Sequence, residues 1–214
     1  FDNLRKVIVY LMSSSFTEMI LIGGALFFGL PLPLLAVQIL WVNLLADGLP
    51  NFALAFEKEE EGIMDEPPRK PQEPIMNAQM KVLIFIIGII TDLVLFGIFY
   101  YLWQTTDDLT YIRTFIFMAL GISSLCYIYS CRSLKHSLWQ QNPFSNAYLN
   151  ISILISIIML VATVYVPFLQ NFLKTVPLAG EEWFWLAGIG LFNIIAIEIA
   201  KWFFISRDKK KKRK

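Results

Sequence analysis

Asn43 and Asp47 stand one helical turn apart in ILWVNLLADGLPNFALAF (39–56), a stretch apolar enough to cross a bilayer. That spacing puts an amide and a carboxylate on one helix face. A Gly48-Leu49-Pro50 break follows at once. Pro50 brings no N–H, and its ring opposes the carbonyl of Ala46 four residues back. Freed backbone at membrane depth persists only where protein or a polar cavity lines it, so the break is predicted to offer carbonyl oxygens beside the acid. Two more acids interrupt apolar runs, Glu18 in the first and Asp92 in the third. An ionisable group at mid-bilayer costs about 2.5 kcal/mol or more on insertion scales, which makes each one a candidate for function. Glu18 lies roughly 16 Å into its run at ~1.5 Å per residue, and an antiparallel hairpin brings it to the depth of Asn43 and Asp47. Carboxylates and amide carbonyls suit calcium or another hard cation, whereas zinc or copper calls for Cys or His. Ser15, one turn before Glu18 on nearly the same face, is a weaker hydroxyl ligand. Asp92 and Asn193 are read as interhelical hydrogen-bonding residues, and His136 as a surface histidine in a loop.

The elements that must position these groups follow from composition. Of 214 residues, 57% are hydrophobic, above the roughly 45–50% of a soluble domain. The excess falls into six apolar runs, approximately 7–29, 34–56, 82–103, 114–131, 147–169 and 183–206, each near the ~20 residues that a hydrocarbon core of ~30 Å requires. No run has the flanks of a signal peptide. The fold class predicted is an all-α membrane protein, a six-span helical bundle in a lipid bilayer, forming one domain over 1–214. GLPLP (29–33) makes the first tight turn, since Pro31 and Pro33 cannot continue a helix. Residues 57–77, rich in charge and proline, form the one long loop, and RDKKKKRK (207–214) is a basic tail suited to anionic lipid. With both termini cytoplasmic, every Lys and Arg except Arg113 and Lys174 falls on the inner side, which sets the predicted orientation. Cys126 and Cys131, five apart on one helix, point away from each other and are not expected to pair. Nothing in the pattern suggests nucleic-acid binding.

The strings FDNLRKVIVYLMSSSFTE, PLPLLAVQILWVNLLADGLPNFALAF and GIMDEPPRKPQEPI closely resemble the C-terminal half of P-type cation-transporting ATPases, nearest to the calcium pumps of sarcoplasmic-reticulum type. The resemblance is strongest over residues 1–75 and mainly hydropathic afterwards. It implies the last six of ten membrane helices, beginning in the stalk below the phosphorylation domain. It also implies that Asn43 and Asp47 ligate one calcium site with backbone carbonyls and a Glu from an earlier helix, and that Glu18 belongs to a neighbouring site. There the pattern departs. Ser15 stands where the family has Asn, Ala46 where it has Thr, and the region of Cys126 where it has Glu. One bound cation is therefore expected, with Glu18 a partial ligand or a proton carrier. In the loop, Asp65, Arg69 and Lys70 become candidates for contacting the phosphorylation domain and coupling it to gating.

The family's DKTGT, TGE and GDGxND motifs do not occur in these residues, nor does a P-loop, so no catalytic residue is assigned. ATP and magnesium would act only through actuator, phosphorylation and nucleotide-binding domains elsewhere in a parent pump, which would also supply the first four helices. Two alternatives stay open: a sodium- or proton-transporting relative, and a stand-alone, non-enzymatic membrane module.

Overall fold

A computed structural model describes residues 2–57, 74–134, 136–140 and 142–212, the last six of these by backbone alone. All regular structure among the described residues is helical. Helix α1 (Asp2–Phe27) ends at Gly29, whose left-handed φ of 66° lets the Leu30 N–H reach back to the Ala25 carbonyl at 2.8 Å. After the GLPLP turn the chain reverses through α2 (Ala36–Val42), a π turn (Asn43–Gly48) and α3 (Leu49–Ala55). Gln38 closes this corner. Its Oε1 accepts from the Leu35 N–H at 2.9 Å, and its Nε2 donates to the Leu173 carbonyl at 3.0 Å.

The next long helix is built the same way, as α4 (Ala78–Val82), a second π turn (Leu83–Gly88) and α5 (Ile89–Thr105). Then come α6 (Leu109–Ser130), a single 3-10 turn (Leu138–Gln140), α7 (Ala147–Tyr165), α8 (Pro167–Leu173) and α9 (Gly180–Lys212). Asn77, Asp108 and Asn146 start α4, α6 and α7, each accepting from a backbone N–H of the first turn. The predicted 147–169 run stops early, at Tyr165. Val166 precedes a proline and is held extended (φ −91°, ψ 118°), which breaks the helix before α8 begins.

Among the described residues five helices are long and apolar enough to cross a membrane: Asp2–Phe27, Ala78–Thr105, Leu109–Ser130, Ala147–Tyr165 and Gly180–Ser206. The predicted 34–56 run is divided instead among α2, a π turn and α3. Helix α6 is the axis of the bundle. Of its most apolar window 67% is buried, against 22–33% in the other four, and it touches α1, α2, α3, α5, α7 and α9. Large apolar side chains cover the outside as well, among them Phe27, Leu40, Phe52, Leu154 and Phe184, as a lipid-facing surface demands. Small residues bring helices close. A Cβ at Gly24 would lie 2.7 Å from the Phe96 ring, and one at Gly121 would lie 2.8 Å from Leu160 Cδ2. Both cysteines are free.

Candidate cation site in a broken helix

Asp47 sits inside the first π turn, facing α1. Tyr10, 1% exposed, lays its hydroxyl against both the Asp47 Oδ1 at 2.8 Å and the Ala46 carbonyl at 2.9 Å. Ser14, one turn further along α1, donates to Asp47 Oδ2 at 2.6 Å. Glu18, a further turn on, lies beside Asn43 and has Asp47 as a neighbouring charge. Thus Tyr10, Ser14 and Glu18, spaced four apart, form one stripe of α1 that faces one stripe of the π turn. Asn43, Asp47 and Glu18 meet as the sequence suggested, and all three remain half-buried.

The helix break behaves differently from the sequence expectation. A π turn binds i to i+5 and widens the backbone, and such turns recur at functional sites. Carbonyl oxygens are released around Pro50, but hydroxyl groups from other helices take them. The Ala46 oxygen accepts from Tyr10, and the Leu45 oxygen accepts from Ser156 of α7 at 2.5 Å. An orphaned carbonyl in hydrocarbon is costly, so these two hydroxyls hold the wide turn open.

Ser15 is not part of this cluster. It is exposed and donates to the Leu11 carbonyl of its own helix at 2.9 Å, because one residue of rotation, ~100°, separates it from the stripe occupied by Ser14. Cys126 also faces elsewhere: Gly190 of α9 approaches so closely that a Cβ there would lie 3.0 Å from the Cys126 sulfur. Asp65, Arg69 and Lys70 lie outside the described residues. Among the described residues there is no group of three or more His, Cys, Asp or Glu side chains able to hold a metal.

Sequence reasoning passed over Tyr10 and Ser156, and favoured Ser15 over Ser14 as the hydroxyl ligand. The four-residue polar spacing 10, 14, 18 was a usable signal for Tyr10 and Ser14. Ser156 carries none, since a serine in an apolar run is equally suited to close helix packing.

Just beyond the end of α3, the chain secures itself with a buried ion pair. Arg132 donates to Glu57 from Nη2 at 3.0 Å and from Nε at 3.3 Å, and the two side chains are 1% and 6% exposed. Asn146 donates to Glu57 Oε2 at 2.8 Å while its own oxygen caps α7. Glu57 is therefore fixed directly after α3.

Apolar helices of membrane-crossing length, with large apolar side chains on the outside of the bundle, define an integral membrane protein. The family described as "Cation transporting ATPase, C-terminus" matches residues 31–203. The chain belongs to that family, as a C-terminal part of a P-type cation-transporting ATPase. It is 36% identical over 193 residues to the Calcium-transporting ATPase of Bacillus subtilis, an alignment covering 88% of this chain and 21% of the relative. Calcium-transporting ATPase 1 of Bacillus cereus is 30% identical over 216 residues, covering 94% and 24%. The Cation-transporting ATPase pma1 of Synechocystis is 29% identical over 189 residues, covering 86% and 21%. The chain thus spans between 21% and 24% of the length of these relatives.

Proposed function

We propose that residues 1–214 form the cation-binding membrane domain of an ATP-driven pump of the sarcoplasmic-reticulum-type calcium branch, with one calcium held by Asn43 and Asp47 and assisted by Glu18. The observation that carries this reading is the opposed pair of stripes, Asn43 and Asp47 on the π turn and Glu18 on α1, half-exposed along one side. Two carboxylates balance the charge of one calcium, and the exposed side leaves room for further oxygens from helices outside this chain. The short span of the relatives covered by the chain supports that division of labour. ATP and magnesium would then act through domains outside these residues, with Asp65, Arg69 and Lys70 on the loop that meets them.

In this reading residues 34–56 span the bilayer as the sixth crossing, with both termini cytoplasmic, as the distribution of Lys and Arg favours. The wide turn is the moving part. Closing a π turn into α geometry rotates the residues before it by about 100° relative to those after it, which would swing Asn43 away from Glu18. The Tyr10 and Ser14 hydroxyls compete with the metal for Asp47 and so supply a release path. Phosphorylation elsewhere would select between the two geometries.

The test is calcium-dependent phosphorylation from ATP in the full-length protein carrying this chain. Asp47→Asn should abolish it at micromolar calcium, while Ser15→Ala, whose hydroxyl serves only its own helix, should leave it intact. A wild-type protein indifferent to calcium would overturn the assignment and favour a sodium or proton pump.

A further inference from the structure

A second stripe of α1 serves a different acid. Ser13 and Thr17 alternate with the Ser14 and Glu18 stripe and face α5 and α6 instead. Thr17 donates to Asp92 Oδ1 at 2.6 Å, and the Ser13 and Tyr127 hydroxyls lie 2.8 Å apart. Asp92 follows the second π turn, whose last residue, Gly88, lies against Ser13: a Cβ there would be 3.6 Å from Ser13 Oγ. Both π turns thus end on a glycine, and an acid lies within about one turn of each, Asp47 beside Gly48 and Asp92 after Gly88.

Asp92 and Asn193 line a cavity of about 40 Å³ bordered by α1, α5, α6 and α9, together with Ser13, Thr17, Ser124 and Tyr127; Tyr10 and Ser14, whose hydroxyls are given to Asp47, stand at its edge. The two residues are 4% and 7% exposed. Asp92 Oδ2 and Asn193 Oδ1 are shut from solvent and have no hydrogen-bond partner among the described residues. Buried acceptors are almost always satisfied, and an ionised one in a bilayer needs a compensating charge. Among the described residues Asp92 is the only carboxylate lining the cavity, and no described Lys, Arg or His lines it. The space exceeds the ~10–15 Å³ that one water requires.

We infer that this cavity is a second cation site, distinct from the Asn43–Asp47 hairpin, that takes one monovalent ion of sodium's size on Asp92 and Asn193. The charge decides the valence: one carboxylate neutralises one alkali ion, whereas a divalent ion would carry an uncompensated charge into hydrocarbon. The donors decide the class, since carboxylate, amide and hydroxyl oxygens are ligands for hard ions. The site does not depend on calcium binding at Asp47. Because α1 presents Ser14 to one acid and Thr17 to the other, rotation of α1 would act on both sites together.

The experiment is 22Na+ binding to the full-length protein in lipid nanodiscs, in calcium-free choline buffer. Wild type should retain one sodium. Asp92→Asn, close in shape, should weaken retention at least about tenfold, the scale of one lost contact to a charged group. Thr17→Val should weaken it by a smaller factor, and Asn43→Ala should leave it unchanged. Loss in Asn43→Ala with retention in Asp92→Asn would put the ion in the hairpin and overturn the inference. Absence of sodium from wild type would also overturn it, with a proton on Asp92 satisfying the acid instead. If Asp92→Asn fails to assemble, retention in Thr17→Val and in Asn193→Leu equal to wild type would overturn it equally.

Discussion

Replacing Arg132 by Met tests how the end of α3 is anchored to the rest of the bundle. The guanidinium makes two bonds to Glu57, donates to the Pro143 carbonyl at 3.1 Å, and also contacts Ser145. Methionine fills much of the same volume and keeps none of these contacts. Glu57 would retain one side-chain donor, Asn146, in a setting where it is 8% exposed. An exposed pair of this kind contributes about 0–1 kcal/mol. Breaking a buried one costs about 3–5 kcal/mol, because the surviving charge stays behind without its partner. The burial on both sides places Arg132→Met in the second range. Reversible unfolding of the chain in mixed micelles, followed by tryptophan fluorescence, measures the loss. Glu57→Gln combined with Arg132→Met should recover much of it, giving a coupling of about 2–3 kcal/mol in the double-mutant cycle. A single-mutant loss below about 1 kcal/mol, or additive behaviour in the cycle, would refute the reasoning and reduce the pair to a surface contact.

Three further outcomes are expected. Tyr10→Phe removes the hydroxyl shared by Ala46 and Asp47, so stability should fall by about 1–3 kcal/mol in the same unfolding assay. Calcium affinity of the full-length protein should also change, whereas Ser15→Ala should alter neither. Ser156→Ala leaves the Leu45 carbonyl without its partner and should cost about 1–3 kcal/mol, with Ser156→Thr retaining part of the bond. Gly121→Ala pushes a methyl group against the Leu160 side chain and should cost about 1–3 kcal/mol. Pairing it with Leu160→Val should relieve the crowding, read as a partial return of the unfolding midpoint.

Hydropathy placed the long helices within a few residues because an apolar run of that length has few other homes. Pro167 explains the main error, and it was visible: a proline bars its predecessor from helix, which is why α7 stops at Tyr165. The family could be read from WVNLLADGLP and IMDEPPRKP, strings whose local order is distinctive. The meeting of Glu18 with Asn43 was legible too, since depth along two antiparallel helices follows from residue count alone.

Rotation about each helix was not legible to the same degree. Three consecutive serines, 13 to 15, look equivalent in sequence. Packing sends Ser13 to Tyr127, Ser14 to Asp47 and Ser15 back onto its own helix, because ~100° separates each from the next. Asp92 shows the same limit. Its residue type and depth suggested only a hydrogen bond between helices, and Thr17 does supply one; the second oxygen and the cavity shared with Asn193 arise only when α1, α5, α6 and α9 close around it. The sequence by itself therefore determined which polar groups interrupt apolar helices and how far along each helix they lie, since apolar length and residue rise set both. Tertiary structure alone decided which oxygens face one another and which are already satisfied, since that depends on helix rotation, and helix rotation is set by contacts distant in the chain.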